Sequence, residues 1–334
     1  MRLLVIGAGA MGGYLAARLG STGHEVSVVA RGAHLEAMRR AGGLVLVEPD
    51  AERRFVPMTA YADTDDAPAA DVVMVTLKAH QVTAMRAPIA RAAARASMLV
   101  VVHNGVGWWY FRRGASGPFA GRTVASVDPD GTVAATLPDD KVVPLFCFKS
   151  AEVIEPGVVL HRPSASEQHL CGELDDAHSP RLGAFVDAML AAGLPCRIEP
   201  VRAAMWTKWL GNIFANPLCA LTGVPLGPAV MHPDGRVLAL ALMRECADVA
   251  AAHGVPILMS PEERLDKAAR VKDVRPSMLQ DRDAGRPMEL DAILGGLVEL
   301  GGLVGVEVPT TRTLLACLRV AQAHAGIATA TPTP

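Results

Sequence analysis

Short runs of consecutive apolar residues alternate with helical patterns over the first two hundred residues. Each run has the length of a strand, and a strand that is apolar at nearly every position is typical of a parallel sheet covered on both faces. The pattern predicts strands at 2–6, 26–29, 44–47, 71–77, 98–102, 144–148, 158–161, 169–172 and 195–199. Helical patterns are found at 14–19, 32–41, 81–96 and 181–193.

A glycine-rich turn joins the first predicted strand to the first helix. Its sequence, Gly7-Ala8-Gly9-Ala10-Met11-Gly12, has the spacing G-x-G-x-x-G between a strand and a helix, and a second strand follows. In that context Gly7 permits the tight turn, Gly9 lets the backbone approach a pyrophosphate, and Gly12 lets the helix pack closely on the strand. The N–H groups at the helix N-terminus would then bind phosphate. We predict a dinucleotide site here, and an ordinary glycine-rich turn is the alternative.

Strand-like runs nearly vanish after Pro200, and helical patterns take over at 201–221, 235–253, 261–270, 277–284, 289–304 and 310–325. The sequence therefore predicts an α/β N-terminal Rossmann-type dinucleotide-binding domain followed by an all-α C-terminal domain. The predicted boundaries are 1–199 for the first domain and 200–325 for the helical one, with a flexible tail at 326–334.

The residue at the end of the second strand indicates the dinucleotide. Sites for NAD place an acidic residue about 20 residues after the glycine motif, where it binds the ribose hydroxyls. This strand ends instead in Ala30-Arg31. Because a guanidinium binds a 2′-phosphate with two parallel hydrogen bonds, Arg31 favours NADPH and disfavours FAD. A solvated arginine at a strand end is the alternative.

Two further polar residues follow predicted parallel strands directly. Lys78 follows the strand at 71–77, and Asn104 lies in the His103-Asn104-Gly105 turn after the strand at 98–102. Ligands of open α/β sheets bind beyond the carboxyl ends of the strands. Lys78 and Asn104 are therefore candidate site residues.

Composition excludes several other classes of protein. The 334 residues are 51% hydrophobic and 20% charged, so the chain can bury a large core, and a net charge of −2 disfavours a nonspecific nucleic-acid binder. The six cysteines form no C-x-x-C pair and predict reduced thiols in a cytoplasmic protein. No membrane-spanning run and no metal site are expected, and the glycine motif explains the apolar N-terminus better than a signal peptide does.

A second group of polar residues lies in the helical part. Lys208, Asn212 and Asn216 are spaced i, i+4, i+8, which places them on one face of a helix whose other residues are strongly apolar. A charge and two amides on such a helix need partners or a wet cleft. Two core amides satisfied by the backbone, with a snorkelling lysine, are the alternative.

A third stretch contains Ser277 and Glu289. Ser277 with Gln280 also fits a capping box, and Glu289, which follows Pro287, also suits the N-terminus of the next helix.

Taken together and in order, these motifs resemble the ketopantoate reductase family over nearly the whole chain. The resemblance implies an enzyme of two domains with its active site in the cleft between them. The expected reaction is NADPH-dependent reduction of a 2-oxo acid to a 2-hydroxy acid, with 2-dehydropantoate as the first candidate substrate. It further implies that Lys208 is the catalytic acid and that Glu289 pairs with the substrate hydroxyl or the lysine. The remaining implied roles are substrate anchors at Asn212 and Asn216, a carboxylate contact at Ser277, and Lys78 and Asn104 beside the nicotinamide and its ribose.

The chain also departs from the family pattern. Leu226 and Leu294 stand where members that make pantoate tend to carry asparagine, and all four tryptophans fall at 108, 109, 206 and 209. The tryptophans suggest a larger or more apolar substrate pocket, with packing at the domain interface as the alternative. Two other functions therefore stay open, namely a reductase of a bulkier 2-oxo acid or ketone, and a dinucleotide-sensing module. A homodimer is compatible with the sequence.

Overall fold

The computed structural model describes residues 1–162, 168–257, 259–270 and 274–327. The chain divides into two compact units. The first consists of Met1–His103, Phe111–Arg122 and Thr132–Val201, and the second of Asn104–Tyr110, Thr123–Gly131 and the chain from Arg202 onward. Most of the predicted tail, residues 328–334, lies outside the described residues.

The described strands all belong to the first unit, where they form two sheets. They are β1 (Arg2–Ile6), β2 (Glu25–Val29), β3 (Gly43–Val47), β4 (Arg53–Pro57), β5 (Thr59–Tyr61), β6 (Val72–Val75), β7 (Met98–Val101), β8 (Val142–Cys147), β9 (Ser150–Glu155), β10 (Val158–Arg162), β11 (His169–Cys171) and β12 (Cys196–Ile198). The larger sheet has the order β12-β11-β8-β7-β6-β1-β2-β5, and the smaller has the order β4-β3-β10-β9. From β8 to β5 the larger sheet is parallel, and β11 is antiparallel to β8.

The first helix of this unit packs on both sheets. The helices are α1 (Ala10–Gly20), α2 (Gly32–Ala41), α3 (Ala79–Ala94), α4 (Thr132–Thr136) and α5 (Pro180–Ala191). A Cβ atom on Gly13 would lie 2.9 Å from a methyl of Val159 and 3.1 Å from a methyl of Leu44. Glycine therefore allows α1 to approach the smaller sheet closely. The α2 helix ends at Gly42, whose φ of 72° is the left-handed conformation that glycine adopts without strain.

The second unit is helical throughout its described elements. They are α6 (Val201–Thr222), whose first residue closes the first unit, α7 (Leu226–Met231), α8 (Pro233–Ala252), α9 (Pro261–Ala269), α10 (Ser277–Asp283), a π-helical turn (Asp291–Gly295), α11 (Gly296–Val304) and α12 (Pro309–His324). The predicted helix at 289–304 is thus a π-turn followed by an α-helix. The fold-class prediction of an α/β region followed by a helical region is confirmed.

Two short segments of the N-terminal half, 104–110 and 123–131, lie in the second unit, although they fall within the predicted first domain at 1–199. Their hydrogen bonds give the reason. Trp206 Nε1 donates to the Tyr110 hydroxyl at 2.9 Å, and the backbone N–H groups of Ala125 and Ser126 donate to Glu299 at 2.8 and 2.7 Å. Sequence periodicity carries no information on such long-range partners.

Within the described residues, no helix is both long and apolar enough to cross a membrane. The same residues contain no group of three or more His, Cys, Asp or Glu side chains arranged to hold a metal ion.

Candidate active site

The glycine turn after β1 has the geometry that its sequence predicts. Gly7 has a φ of 101°, and Thr76 Oγ1 donates a hydrogen bond to its carbonyl oxygen at 2.6 Å. A Cβ atom on Gly12 would overlap both Gly7 O and Thr76 Oγ1. Gly7 is therefore required for the turn and Gly12 for the close packing of α1 on it.

Gly9 differs from these two glycines because it faces open space. It precedes α1 directly, and a Cβ atom placed on it would meet no atom within 4 Å. The first N–H groups of α1 have no partner inside the helix and carry its positive dipole end. An open backbone surface beside these N–H groups fits the pyrophosphate of a dinucleotide.

The end of β2 lies beside the glycine turn. The backbone N–H groups of Gly7 and Ala8 both donate to Val29 O, at 3.0 and 3.1 Å, and Arg31 follows two residues later. The Arg31 side chain is exposed and has no hydrogen-bond or salt-bridge partner among the described residues. Its guanidinium is therefore free to bind a phosphate beside the turn.

Lys78 also lies at this edge of the larger sheet. It follows β6, the neighbour of β1, and immediately precedes α3, where its backbone N–H donates to Gln81 Oε1 at 3.1 Å. The first unit thus contains Gly7 to Gly12, Arg31 and Lys78, at the carboxyl ends of adjacent parallel strands.

The second unit brings together three of the predicted residues. Asn104 Nδ2 donates to Glu289 Oε2 at 3.2 Å, and Asn104 Oδ1 accepts from Asn212 Nδ2 at 2.9 Å. Asn104 therefore bridges the carboxylate and the helix amide. Glu289 is only 7% exposed, so this network fixes a nearly buried charge.

A second pair lies one helical turn further along α6. Asn216 Oδ1 accepts from Ser277 Oγ and from the Met278 backbone N–H, each at 3.1 Å. The capping-box interpretation of Ser277 is wrong, because its hydroxyl donates to Asn216 and Gln280 Nε2 donates to Arg275 O at 2.8 Å instead. No described residue accepts a hydrogen bond from Asn216 Nδ2, so both N–H groups of this amide can bind a ligand.

Lys208 completes this face of α6. It is half-buried, and its i, i+4, i+8 spacing with Asn212 and Asn216 places the three on one side of a continuous helix. The other candidate for a proton donor is His103, which directly precedes Asn104 in the sequence. Desolvation lowers the pKa of His103 to about 4, so its imidazole is neutral at pH 7 and is a poor proton donor. Lys208 supplies the amine of this face and is the candidate proton donor.

The sequence as a whole matches one family. Residues 3–109 match the sequence profile "Ketopantoate reductase PanE/ApbA", and residues 200–322 match "Ketopantoate reductase PanE/ApbA C terminal". The 2-dehydropantoate 2-reductase of Mesorhizobium japonicum is 37% identical over 96% of this chain and 97% of its own length. This chain belongs to the ketopantoate reductase family.

Solved structures agree with this assignment. A PanE/ApbA family ketopantoate reductase from Ralstonia eutropha JMP134 superposes with a TM-score of 0.78 at 25% identity, over 98% of this chain and all of the other. A D-mandelate dehydrogenase in complex with NADH and anilino(oxo)acetate superposes with a TM-score of 0.81 at 18% identity, over 98% and 100% of the two chains. At that identity the second likeness shows the fold alone.

In this ketopantoate reductase family member the π-turn, which the sequence pattern did not predict, lies next to the candidate residue Glu289. Val106 N–H donates to Ala292 O, and Trp209 Nε1 donates to Ile293 O, both at 3.0 Å. These two donors bind carbonyls of the π-turn, and Glu289 lies two residues before the turn begins at Asp291. Gly105, with a φ of 71°, has its Cα so close to Ala292 O that any Cβ would overlap that oxygen.

We expect Gly105→Ala to destabilise the protein by about 1–3 kcal/mol, because alanine is strained at positive φ and its Cβ would displace the Ala292 carbonyl. A lower melting temperature in thermal unfolding checks this. The matched control is Gly302→Ala on α11, where a Cβ meets no atom within 4 Å, so the melting temperature should stay the same or rise. Equal melting temperatures for both variants would contradict the proposed close approach.

The tryptophans form part of the core, which corrects the interpretation of a large apolar pocket. Trp109, Trp206 and Trp209 are fully buried and Trp108 is 5% exposed. Trp206 stacks on Trp209 with ring centroids 4.8 Å apart. Leu294 is fully buried in the π-turn as well, so this departure from the family pattern is also a core residue.

Proposed function

We propose that this protein reduces 2-dehydropantoate to pantoate with NADPH. The observation that carries the proposal is the hydrogen-bonded group Asn104, Glu289 and Asn212 on the helix face of Lys208, in a chain that belongs to the ketopantoate reductase family. Gly7 to Gly12, Arg31 and Lys78 would hold the dinucleotide. When bound, this cofactor supplies the hydride that is added to the carbonyl carbon.

The side chains of the second unit would bind and polarise the 2-oxo acid. As the carbonyl carbon is reduced, its oxygen gains negative charge, and the Lys208 ammonium stabilises that charge and donates the proton that makes the hydroxyl. The lysine amine then takes a proton from water. The Glu289 carboxylate accepts a hydrogen bond from the product hydroxyl. Asn104, which itself accepts from Asn212, donates to this carboxylate and holds it in position.

Asn212, Asn216 and Ser277 would orient the substrate without adding a second acid. Ser277 is exposed, and its hydroxyl donates to Asn216 Oδ1. This bond fixes the orientation of the Asn216 amide, so its Nδ2 group is positioned to donate to a substrate. Neutral amides and hydroxyls suit this task because they bind the polar groups of a 2-oxo acid without competing with Lys208 for the proton.

A steady-state assay tests this function directly. Loss of NADPH absorbance is followed with 2-dehydropantoate and with bulkier aromatic and aliphatic 2-oxo acids, and each is repeated with NADH. We expect 2-dehydropantoate to have the highest kcat/KM. A higher value for a bulkier acid would favour the alternative substrate class, which now rests on Leu226 rather than on the buried tryptophans.

We expect Arg31→Asp to weaken NADPH binding by about 1.5–3 kcal/mol, the free energy of a hydrogen bond to a charged group, and to leave NADH binding nearly unchanged. Titrations with both cofactors measure this. Arg40→Asp is the matched control, because Arg40 is an exposed arginine at the other end of α2 and the charge change is the same. Wild-type protein that binds NADH as tightly as NADPH would rule out this role of Arg31.

A further inference from the structure

Arg264 on α9 lies against the helix that carries Lys208. Its Nη2 and Nε atoms are 2.5 and 2.8 Å from the point where a Cβ atom on Gly211 would be. The guanidinium therefore occupies the space of the side chain that Gly211 lacks. Glycine in a helix interior is less favourable than alanine, because its backbone loses more conformational freedom on folding. Gly211 therefore stabilises the helix less than alanine would, and its missing side chain leaves the space that the Arg264 guanidinium occupies.

This guanidinium has no partner in the part of the chain that the structure describes. Among the described residues, no side chain or carbonyl forms a hydrogen bond or a salt bridge with the Arg264 guanidinium, whereas its backbone N–H donates to Ser260 O at 3.0 Å. Two arginines of α8 behave differently, since the exposed Arg244 pairs with Glu262 at 2.9 Å and the partly exposed Arg236 pairs with Asp266 at 2.7 Å, both on α9. These two arginines therefore have carboxylate partners, and the Arg264 guanidinium does not.

An unpaired guanidinium is unfavourable in this position. The Arg264 side chain is only partly exposed, and desolvation lowers the pKa of its guanidinium below the ordinary value, although the group stays charged at neutral pH. A desolvated charge without a counter-ion costs free energy. A bound anion would remove that cost.

The position of Gly211 would place such an anion near Lys208, the proposed proton donor. Gly211 is three residues after Lys208 and one residue before Asn212. Residues three apart on a helix are surface neighbours, so the guanidinium lies next to the face that carries Lys208. The planar fork of arginine binds a carboxylate through two parallel hydrogen bonds.

We propose that Arg264 binds the carboxylate of the 2-oxo acid substrate, with Gly211 providing its space. The inference rests on the proposed function, because it takes the substrate to be a 2-oxo acid. Asn216 and Ser277 offer neutral hydrogen bonds, and Arg264 adds the charge that distinguishes an acid from its amide.

Kinetics of Arg264→Gln test this role. With 2-oxo acid we expect KM to rise about 10- to 100-fold, the effect of losing a charge-assisted contact, while kcat changes by less than about threefold and NADPH affinity stays the same. With the corresponding 2-oxo amide KM should barely change. The preference for acid over amide should therefore fall in the variant. A role in folding alone would change both KM values together, and that result would overturn the proposal.

Gly211→Ala tests the same contact without altering any charge. Its new Cβ would come 2.5 Å from Arg264 Nη2, so the flexible guanidinium has to move, while alanine stabilises the helix. We expect KM for the acid to rise although the melting temperature is unchanged or higher. Arg244→Gln is the control, as an exposed arginine already paired with Glu262, and should leave both KM values unchanged. An unchanged KM for the acid in folded Arg264→Gln and Gly211→Ala proteins would also overturn the proposal.

A binding experiment separates this inference from the proposed function. If none of the tested 2-oxo acids supports NADPH oxidation by the wild-type protein, the proposed function fails. Calorimetric titration with pantoate then tests the carboxylate site alone. Binding to wild type that is lost in Arg264→Gln and kept in Arg244→Gln supports the site. Absence of binding to wild type, or equal binding to all three proteins, overturns it.

Discussion

Replacing Lys208 by alanine should lower kcat by roughly 10²–10⁴-fold, the range expected for loss of a general acid. The physical reason is that the ammonium stabilises charge that develops on the substrate oxygen mainly in the transition state. NADPH affinity should barely change, because the residues proposed to hold the cofactor phosphates belong to the first unit. Rates, NADPH titrations and melting temperatures on this one variant measure all three effects.

Two further variants sharpen the interpretation. Lys208→Arg keeps a positive charge but has a side chain that does not release its proton near neutral pH, so partial rescue of kcat would separate electrostatic stabilisation from proton donation. Lys267→Ala, an exposed lysine of α9, controls for the loss of a cation and should leave kcat unchanged. An unstable Lys208→Ala protein with near-normal kcat would instead assign Lys208 to the core.

Gly9→Val should abolish detectable NADPH binding and leave the fold intact. The valine side chain would extend into the open space beside the N-terminus of α1, where the pyrophosphate is proposed to lie, and it meets no protein atom near Cβ. Titration with NADPH and thermal unfolding check the two halves of this prediction. Gly183→Val on α5, where a Cβ also meets no atom within 4 Å, is the matched control.

Gly12→Ala separates the two reasons for a glycine in this turn. Its Cβ would overlap Gly7 O and Thr76 Oγ1, so we expect a lower melting temperature as well as weaker cofactor binding. Unchanged NADPH affinity in folded Gly9→Val protein would mean that the turn is purely structural.

The elements that sequence periodicity predicted are those with one clear burial pattern. The strand containing Val72 and Val75 is buried throughout, so its apolar run is continuous. The apolar pattern did not predict β4 (Arg53–Pro57), which has one buried position, or β9 (Ser150–Glu155), which is half exposed. Strands that lie at the edge of a sheet carry polar residues and lose the apolar signal. Helices of five or six residues, such as α4 and α7, are too short for a 3.6-residue period.

The helix face was predictable for a different reason. The spacing of Lys208, Asn212 and Asn216 is local, so helical geometry alone puts them side by side. The bond from Asn104 to Glu289 is not local, since 185 residues separate them, and only the family resemblance linked the two. The π-turn could not be predicted from the local sequence, because two of its carbonyls accept hydrogen bonds from residues far away in the chain, Val106 and Trp209.

The division of the chain also affects how the protein is made. A ribosome adds about 5–20 residues per second, so the 185 residues from Asn104 to Glu289 take roughly 10–40 s to synthesise. The 104–110 segment, with Trp108 and Trp109, is translated before all the helices of the second unit, to which it belongs in the folded protein. Tyr110 is likewise translated before Trp206, which donates a hydrogen bond to its hydroxyl in the folded protein. The nascent chain therefore carries an aromatic segment without its final packing, and a chaperone that binds apolar segments would find it there before translation ends.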